Sequence, residues 1–376
     1  MKGHIRERSP GHWAIVLDIA DPLTGRRRRR WHSFRGSKRE AQRECARLIA
    51  EIGRGSYVER SKTAVGDFAR ARIDQWEAAG NITARSAERY RMLADKQIAP
   101  HIGARPLQRL TRLDIEAWHT TLRNAGLAAR TIGIAHAVLG KVLTDAEKDG
   151  LVVKNVCRIQ RAPRVPARET VIVKDVTALI EKLRGTRLYA IAVTALTTGA
   201  RLGEILALRE RNLDLDRGVI RVREALERTL AHGVRFKSPK TKAGRRDITL
   251  PALALETLRD HRRERLEMRM RLGLGKLGPD DLLFANADGK PVRPDAISNA
   301  WSEFADRIGM PEITFHALRH THASQLIAEG VDIVTISKRL GHATANVTLG
   351  VYAHLFAMDD SKAAAAINRA LGGSIG

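Results

Sequence analysis

Cysteine is scarce in this sequence, which has two cysteines among 376 residues. Cys45 and Cys157 lie far apart and offer no disulfide framework of the kind that stabilises small secreted domains. Long apolar runs are also missing, since none approaches the roughly 18 residues of a membrane-spanning helix. The first ten residues, MKGHIRERSP, lack the apolar core of a signal peptide. We therefore expect a cytoplasmic protein without disulfides or membrane spans.

Acidic residues are outnumbered, with 42 aspartates and glutamates against 66 lysines and arginines, for a net charge of +24. Such a surplus favours a polyanionic partner, because basic side chains neutralise phosphates and release their counterions. Nucleic acid is the first candidate, and a membrane surface or an unspecialised basic surface are the alternatives. Hydrophobic residues at 43% and charged residues at 29% are ordinary for a folded protein. The length predicts two or three domains.

Residues 1–58 are predicted to form a small sheet backed by one helix. Alternating patterns predict strands near 12–19 and 27–34, joined by a turn at 21–25. The S-x-x-E pattern of a capping box, which starts at Ser37, predicts the beginning of the helix.

This first segment is strongly basic, and we interpret it as an accessory DNA-binding module. Strands of a small basic sheet can lie in a DNA groove while arginines contact the phosphates. The alternative is a solvated face, or a charged strand that discourages edge-to-edge pairing. The DNA-binding candidates in this segment are Arg26, Arg27, Arg28, Arg29 and Arg30.

Residues 62–157 change to a helical pattern, with apolar stripes typical of a four-helix domain. Gly80, the segment 100–106 and Gly126 are predicted to separate these helices. Residues 158–170 are basic, contain two prolines and read as an extended linker. Arg161 and Arg164 are its candidates for contact with the DNA backbone, and an ordinary tether is the alternative.

Residues 171–376 predict a mixed α/β region, with helices near 175–184 and 187–198 and strands near 218–223, 233–238 and 246–250. Four short blocks stand out there. They read, in order, TTGARLGEILAL, SPKTKAGRRDITL, HALRHTHASQL and LGHATANVTLGVYAHL. Each block alone is a weak signal, but the set in this order is highly specific.

Together these blocks resemble the tyrosine recombinase, or phage integrase, family. The resemblance implies an enzyme that cuts and rejoins DNA through a covalent bond to a tyrosine. The implied fold is multidomain and mainly α, with a small N-terminal sheet and helix, a helical core-binding domain and a mixed α/β catalytic domain. The active-site residues that match are Arg201, Lys240, His316, Arg319, His342 and Tyr352.

The chemistry of phosphodiester cleavage explains these residue types. Arg201 and Arg319 fit as phosphate clamps, because guanidinium groups bind phosphate oxygens in a bidentate way and stay charged. His316 lies one helical turn before Arg319 and would contribute proton transfer or hydrogen bonding, while His342 would add a donor. Lys240 is the candidate acid for the leaving 5′ oxygen.

Tyr352 is the expected nucleophile, which would leave a 3′-phosphotyrosyl enzyme and a free 5′ hydroxyl. The alternative for this tyrosine is a buried aromatic that only packs. Glu204, one turn after Arg201, either orients that arginine or is solvated. His320 lies four residues after His316, as in a zinc helix, but Arg319 would repel a cation and no metal or cofactor is expected. His320, His322 and His354 are interpreted as structural neighbours of the site, and for His320 the alternative is that it supports the active-site residues from behind.

The resemblance also implies partners. They are double-stranded DNA with core-type and arm-type sites, three further copies of the chain in a tetramer on DNA, and DNA-bending or directionality factors. The helix after Tyr352 either packs on its own domain or docks on a neighbouring subunit. A chromosome-dimer resolving recombinase, a non-catalytic DNA-binding protein of this fold and a type IB topoisomerase are the alternative functions.

Overall fold

The computed structural model describes residues 3–20, 27–54, 57–59, 61–166, 170–239, 242–355 and 360–372. The chain divides into two compact units, Met1–Pro166 and Ala167–Gly376. The predicted fold class is confirmed, because the chain is mainly helical with a small N-terminal sheet and a mixed α/β second unit. None of the described helices is both long and apolar enough to cross a bilayer.

The first unit begins with a three-stranded antiparallel sheet in the order β1–β2–β3. Its elements are β1 (Gly3–Ser9), β2 (His12–Ala20), β3 (Arg27–Arg35) and the helix α1 (Lys38–Gly53). Ile15 and Leu17 of β2 are fully buried against Cys45 and Leu48 of α1, as strand alternation requires. The capping box predicted at Ser37 is confirmed, since its backbone N–H donates to Glu40 Oε2 at 2.8 Å.

The remainder of the first unit is helical around its own apolar cluster. The helices are α2 (Val65–Ala78), α3 (Ala84–Leu93), α4 (Arg112–Asn124), α5 (Ala129–Lys148) and α6 (Val156–Ile159). The break predicted within 100–106 falls after Gly103, because α3 continues into π-helical turns over Ala94–Gly103. A wider i to i+5 turn tolerates the missing proline N–H. The predicted linker also starts too early, since α6 includes Arg158.

The second unit packs helices around a three-stranded sheet and a separate hairpin. Its helices are α7 (Val176–Leu183), α8 (Tyr189–Thr198), α9 (Leu202–Ile205), α10 (Ala252–Arg271), α11 (Pro294–Arg307), α12 (Phe315–Ala328), α13 (Ile333–Leu340), α14 (Ala345–Tyr352) and α15 (Asp360–Gly372). Its strands are β4 (Leu213–Asp214), β5 (Val219–Val222), β6 (Ala225–Thr229), β7 (Gly233–Lys237) and β8 (Arg246–Thr249).

Helix α8 lies at the centre of this second unit and packs against α10 and α12. It is apolar on all sides, as a helix without a solvent face must be. The three-stranded sheet has the order β4–β5–β8, and its strands are antiparallel. The strands β6 and β7 pair as a separate hairpin. The sequence pattern predicts β7 but not β6. These elements place the ends of α8, α12, α13 and α14 beside one another.

Candidate active site

Arg201 is positioned by the sharp turn that ends α8. Gly199 adopts the left-handed conformation, with φ at 65°, and a Cβ there would lie 2.6 Å from the His322 ring. A glycine therefore permits both the turn and the close packing of α12. Arg201 caps the short helix α9, and its guanidinium donates to Glu204 Oε1 at 2.8 Å. The helix predicted after Arg201 is only four residues long.

Glu204 forms ion pairs with Arg201 and with a second arginine. Its second oxygen pairs with Arg246 at 2.9 Å, and both of these side chains are buried. Burial alone would raise the pKa of Glu204, but the charge and hydrogen bond of Arg246 and the charge of Arg201 outweigh it and lower the pKa. The carboxylate thus stays ionised and holds two arginines, which supports the orienting role predicted for Glu204.

Arg246 is a site residue that sequence reasoning missed. It lies on the inward face of β8 with Ile248, and its Nε donates to the carbonyl of Arg339 at 2.6 Å. The signal was present in the sequence, because strand alternation in RDIT places Arg246 on the same side as the apolar Ile248. An inward-facing arginine needs a buried acceptor, and Glu204 provides it.

Arg319 lies on α12 and is 3% exposed. It donates to the carbonyls of Gly199 at 2.5 Å and Leu340 at 2.8 Å, and to His342 Nε2 at 2.9 Å. Burial and the nearby charge of Arg201 lower the pKa of Arg319 to about 9. The guanidinium therefore remains charged at neutral pH and is fixed by contacts to three segments of the chain.

His342 follows α13 and has both ring nitrogens engaged. Because Nε2 accepts from Arg319, the proton lies on Nδ1, which donates to Thr348 Oγ1 at 2.7 Å. Burial and the positive charges of Arg319, Arg201 and Arg246 lower the pKa of His342 to about 4. The ring is therefore neutral at physiological pH.

His316 is exposed in the first turn of α12, and its ring meets that of His320 edge to face at 4.8 Å between centroids. Partial desolvation and the charges of His320, Arg319 and Arg201 lower the pKa of His316 to about 4. His316 lies three residues before Arg319 on α12, which places both side chains on the same side of that helix.

Tyr352 is the last residue of α14 and is 1% exposed. It packs in a small apolar cluster with Ala323, Ile336 and Leu340, yet its hydroxyl lies 2.7 Å from His320 Nδ1. Burial raises the pKa of Tyr352 to about 12, against a smaller lowering by Arg319. The tyrosine is thus protonated, buried and hydrogen-bonded beside the arginine clamp.

The structure places five of the six predicted active-site residues around α12: Arg319 donates to His342 and to the Gly199 carbonyl two residues before Arg201, while His316 contacts the His320 ring that meets Tyr352. Lys240 lies outside the described residues, as do Arg26, the side chains of Arg27 and Arg28, and the side chain of His354. In the first unit, Arg29 pairs with Asp18 at 3.4 Å and Arg30 with Glu59 at 3.0 Å. These are exposed pairs, which contribute little to stability.

Arg161 and Arg164, the linker candidates for contact with DNA, are both exposed to solvent. Arg161 lines a polar cavity of about 290 Å³ with His119, Arg123 and Gln160. Arg164 lies a few residues further along an extended stretch and is exposed. Among the described residues, no group of three or more histidine, cysteine or acidic side chains is arranged to hold a metal ion.

Curated relatives match the chain over long stretches. A "Tyrosine recombinase XerC-like" protein of Caldanaerobacter subterraneus is 26% identical over 274 residues, covering 68% of this chain and 70% of its own. A "Putative prophage phiRv2 integrase" of Mycobacterium tuberculosis is 26% identical over 336 residues, covering 88% and 84%.

Solved structures match the fold. The Tn1549 transposon integrase in complex with a circular intermediate DNA aligns with a TM-score of 0.69 at 20% identity, covering 82% of this chain and 99% of that one. A lambda integrase tetramer bound to a Holliday junction aligns with a TM-score of 0.57 at 18% identity, covering 91% and 96%.

The family model for the phage integrase family matches residues 170–358, half of the chain. That range contains all four sequence blocks and the whole network around Arg201, Arg319 and Tyr352. The chain therefore belongs to the phage integrase family of tyrosine recombinases, enzymes that cut and rejoin DNA.

Proposed function

We propose that this protein is a site-specific integrase that inserts and excises a mobile element or prophage. It does so by cutting and rejoining DNA through a 3′-phosphotyrosyl bond to Tyr352 and a Holliday junction. The observation that carries this proposal is that the helix carrying the buried Arg319 also carries His320, whose ring meets the hydroxyl of Tyr352. The relatives named as integrases support the assignment to a mobile element.

Arg201 and Arg319 are proposed to bind the non-bridging oxygens of the scissile phosphate. Glu204 and three backbone or ring acceptors fix the two guanidinium groups before DNA arrives. Such preorganised charges stabilise a transition state in which negative charge grows on the equatorial oxygens. Arginine supplies the charge that a metal ion would otherwise supply, so we expect full activity in EDTA.

His316 and His342 are proposed as further phosphate ligands, and Lys240 as the acid for the leaving group. In the cleavage step the Tyr352 oxygen bonds to phosphorus while the bond from phosphorus to the 5′ oxygen breaks. The 5′ oxygen takes its proton from Lys240. Because Tyr352 is 1% exposed, α14 or its neighbours must shift for the phosphate to reach the hydroxyl.

The parts of the chain are proposed to divide the work on DNA. Residues 1–58 bind arm-type sites with Arg26 to Arg30, residues 62–157 bind the core site, residues 158–170 form a basic linker, and residues 171–376 catalyse. Arg161 and Arg164 contact the backbone from the linker. Since its substrate is cellular DNA, the enzyme is placed in the cytoplasm.

A tetramer on DNA is proposed because exchange of two duplexes needs four cleavages. The lambda integrase tetramer on a Holliday junction supports this assembly. The helix α15 exposes Ile367 and Leu371, which suits docking on a neighbouring subunit. DNA-bending and directionality factors would then select integration or excision.

The test is a recombination assay between the two end sequences of the element that carries the gene. We expect joined products with the wild-type protein and none with Tyr352→Phe. Joining of chromosomal dimer-resolution sites instead would favour the resolving recombinase. Relaxation of plasmids without any such site would favour a topoisomerase. Binding without strand joining would favour a non-catalytic DNA-binding protein.

A further inference from the structure

In the structure, the His320 ring contacts the hydroxyl of Tyr352. Its Nδ1 lies 2.7 Å from Tyr352 Oη, within the range of a good hydrogen bond. The two rings meet edge to face, with centroids 5.6 Å apart. His320 is half-buried and belongs to none of the six residues assigned to the site from the sequence blocks.

Two other histidines near the site have both ring nitrogens engaged elsewhere. His342 has its two nitrogens on Arg319 and Thr348. His322 has its two nitrogens on the Leu196 carbonyl and the Arg339 guanidinium. In the described part of the site, His320 is therefore the histidine with a ring nitrogen on the tyrosine oxygen.

The position of His320 on α12 links it to the phosphate site. The same helix carries His316 and Arg319, and the His316 ring contacts the His320 ring. A tyrosine that attacks a phosphate held by these residues must reach the same end of α12. His320 is thus fixed relative to the phosphate ligands, while Tyr352 approaches it from a different helix, α14.

We propose that His320 is the general base that removes the phenolic proton from Tyr352 during cleavage. This inference rests on the proposed function and assigns the proton of its first step. As the bond from the Tyr352 oxygen to phosphorus forms, the phenolic proton moves to His320 Nδ1, and the 5′ oxygen leaves with a proton from Lys240. In ligation the proton on His320 returns to the departing phenolate.

The protonation states agree with this role. Burial raises the pKa of Tyr352 to about 12, so the phenol needs a base at neutral pH. Burial and the adjacent Arg319 lower the pKa of His320, so its ring is neutral and can accept a proton. The groups that face the His320 ring are His316 and Arg319 on its own helix and Tyr352 on α14.

The first experiment measures single-turnover cleavage of a nicked duplex by His320→Ala and His320→Asn. Asparagine keeps a hydrogen-bond acceptor near the Nδ1 position but cannot take a proton. We expect both variants to cleave about 10²- to 10³-fold more slowly than wild type, with unchanged DNA binding. Rescue by asparagine would mean that His320 only positions the tyrosine, and faster cleavage by alanine would mean that it restrains the buried tyrosine. Either result would overturn the proposal.

The second experiment uses a substrate whose leaving group does not need a proton from His320. A DNA strand with a 3′-p-nitrophenyl phosphate carries a leaving group that departs without protonation. We expect Tyr352→Phe and the double variant Tyr352→Phe/His320→Ala to join this strand to a 5′ hydroxyl at the same rate, within about twofold. A slower rate in the double variant would show that His320 shapes the phosphate site and would overturn the proposal.

Failure of the underlying function gives a different result. If wild-type protein binds the duplex but forms no covalent adduct, both the proposed function and this inference are contradicted. Adduct formation by Tyr352→Phe would do the same. A defect confined to the His320 variants leaves the proposed function intact.

Discussion

Among single residues, Glu204 contributes most to the site without being expected to touch DNA. It is buried, and its two oxygens hold Arg201 and Arg246. Replacement by glutamine leaves the buried Arg246 charge without a counterion, and breaking a buried pair in this way costs about 3 kcal/mol. We therefore expect Glu204→Gln to lower the free energy of unfolding of the second unit by about that amount and to slow cleavage.

The matched control is Glu181→Gln, which removes a pair with Arg184 whose side chains are both more than half exposed. Exposed pairs contribute about 0.5 kcal/mol or less. Urea denaturation of both variants measures the difference. Equal destabilisation of the two variants would show that the Glu204 network does not stabilise the site.

His322 gives the second unit a pH-dependent stability. It is 5% exposed, with its nitrogens on Leu196 and Arg339, and burial together with the Arg339 charge lowers its pKa to about 4 from 6.5. Between these values the unfolded chain binds a proton that the folded chain does not. The stability from the neutral ring is therefore complete above pH 6.5 and is lost as the pH falls towards 4.

We expect the His322→Gln variant to lose less stability than wild type between pH 7 and pH 5. The difference should be about 2 kcal/mol, from roughly 1.4 kcal/mol for each unit of pKa. Urea unfolding at both pH values checks it for each protein. The same pH dependence in the variant would mean that His322 has the same pKa in the folded and unfolded chain.

The family motif picks out Arg201, Arg319 and Tyr352 from the sequence alone, and their roles in cleavage stay predictions. It leaves Glu204 with two alternatives, because an acidic residue one turn after an arginine is as often solvated as paired. Strand alternation indicates that Arg246 faces inward, but its acceptor is not evident from the sequence, since Glu204 lies 42 positions away in the chain and meets Arg246 only after folding. The contact between His320 and Tyr352 also depends on the packing of two separate helices.

At the scale of elements, the turn from α8 into α9 sets the position of Arg201. Gly199→Ala would place a methyl group 2.6 Å from His322 and 2.7 Å from Leu340 in a left-handed conformation. We expect a destabilisation of about 3 kcal/mol or more, since an overpacked core adds to the backbone cost. Arg201 would shift with the turn, so cleavage should fall at least about tenfold.

Gly309→Ala is the control for this turn, because Gly309 also has a positive φ, at 76°, but a Cβ added there would have no neighbouring atom within 4 Å. Gly309→Ala should lower the free energy of unfolding by only about 1 kcal/mol, because alanine is disfavoured in the left-handed backbone conformation. Thermal unfolding and a cleavage assay compare the two variants. Similar effects in both would show that close packing at Gly199 does not matter.

Several elements show what periodicity alone can predict. The strand β2, which has a run of apolar residues, and long amphipathic helices such as α5 follow from their patterns. The strand β1 is polar at most positions and is held by pairing with β2, which no local pattern reveals. The strand β6 is hidden from such patterns because its charged Glu227 is buried and paired with Arg235 and Lys237 of β7.

At the scale of the whole molecule, the net charge of +24 predicts DNA binding that weakens steeply with salt. Removing one phosphate-binding side chain lowers the slope of log affinity against log salt by about 0.9. We expect Arg161→Ala/Arg164→Ala to reduce this slope by about 2, because both arginines are proposed to contact the DNA backbone from the linker. Titration of core-site DNA at several salt concentrations measures it.

Arg184→Ala is the control for the slope, since Arg184 is neutralised by Glu181 on an exposed helix end. It should leave the slope nearly unchanged. An unchanged slope in the linker variant as well would show that residues 158–170 are an ordinary tether.

The central claim is that Tyr352 attacks DNA in a site whose charge comes from arginines. The most direct test mixes a nicked duplex of the element's end sequence with wild-type protein or Tyr352→Phe in EDTA, followed by a denaturing gel. We predict a protease-sensitive covalent adduct with wild type and none with the variant. No adduct with wild type, while binding to the same duplex is intact, would contradict the claim and favour a DNA-binding protein that has kept this fold without its chemistry.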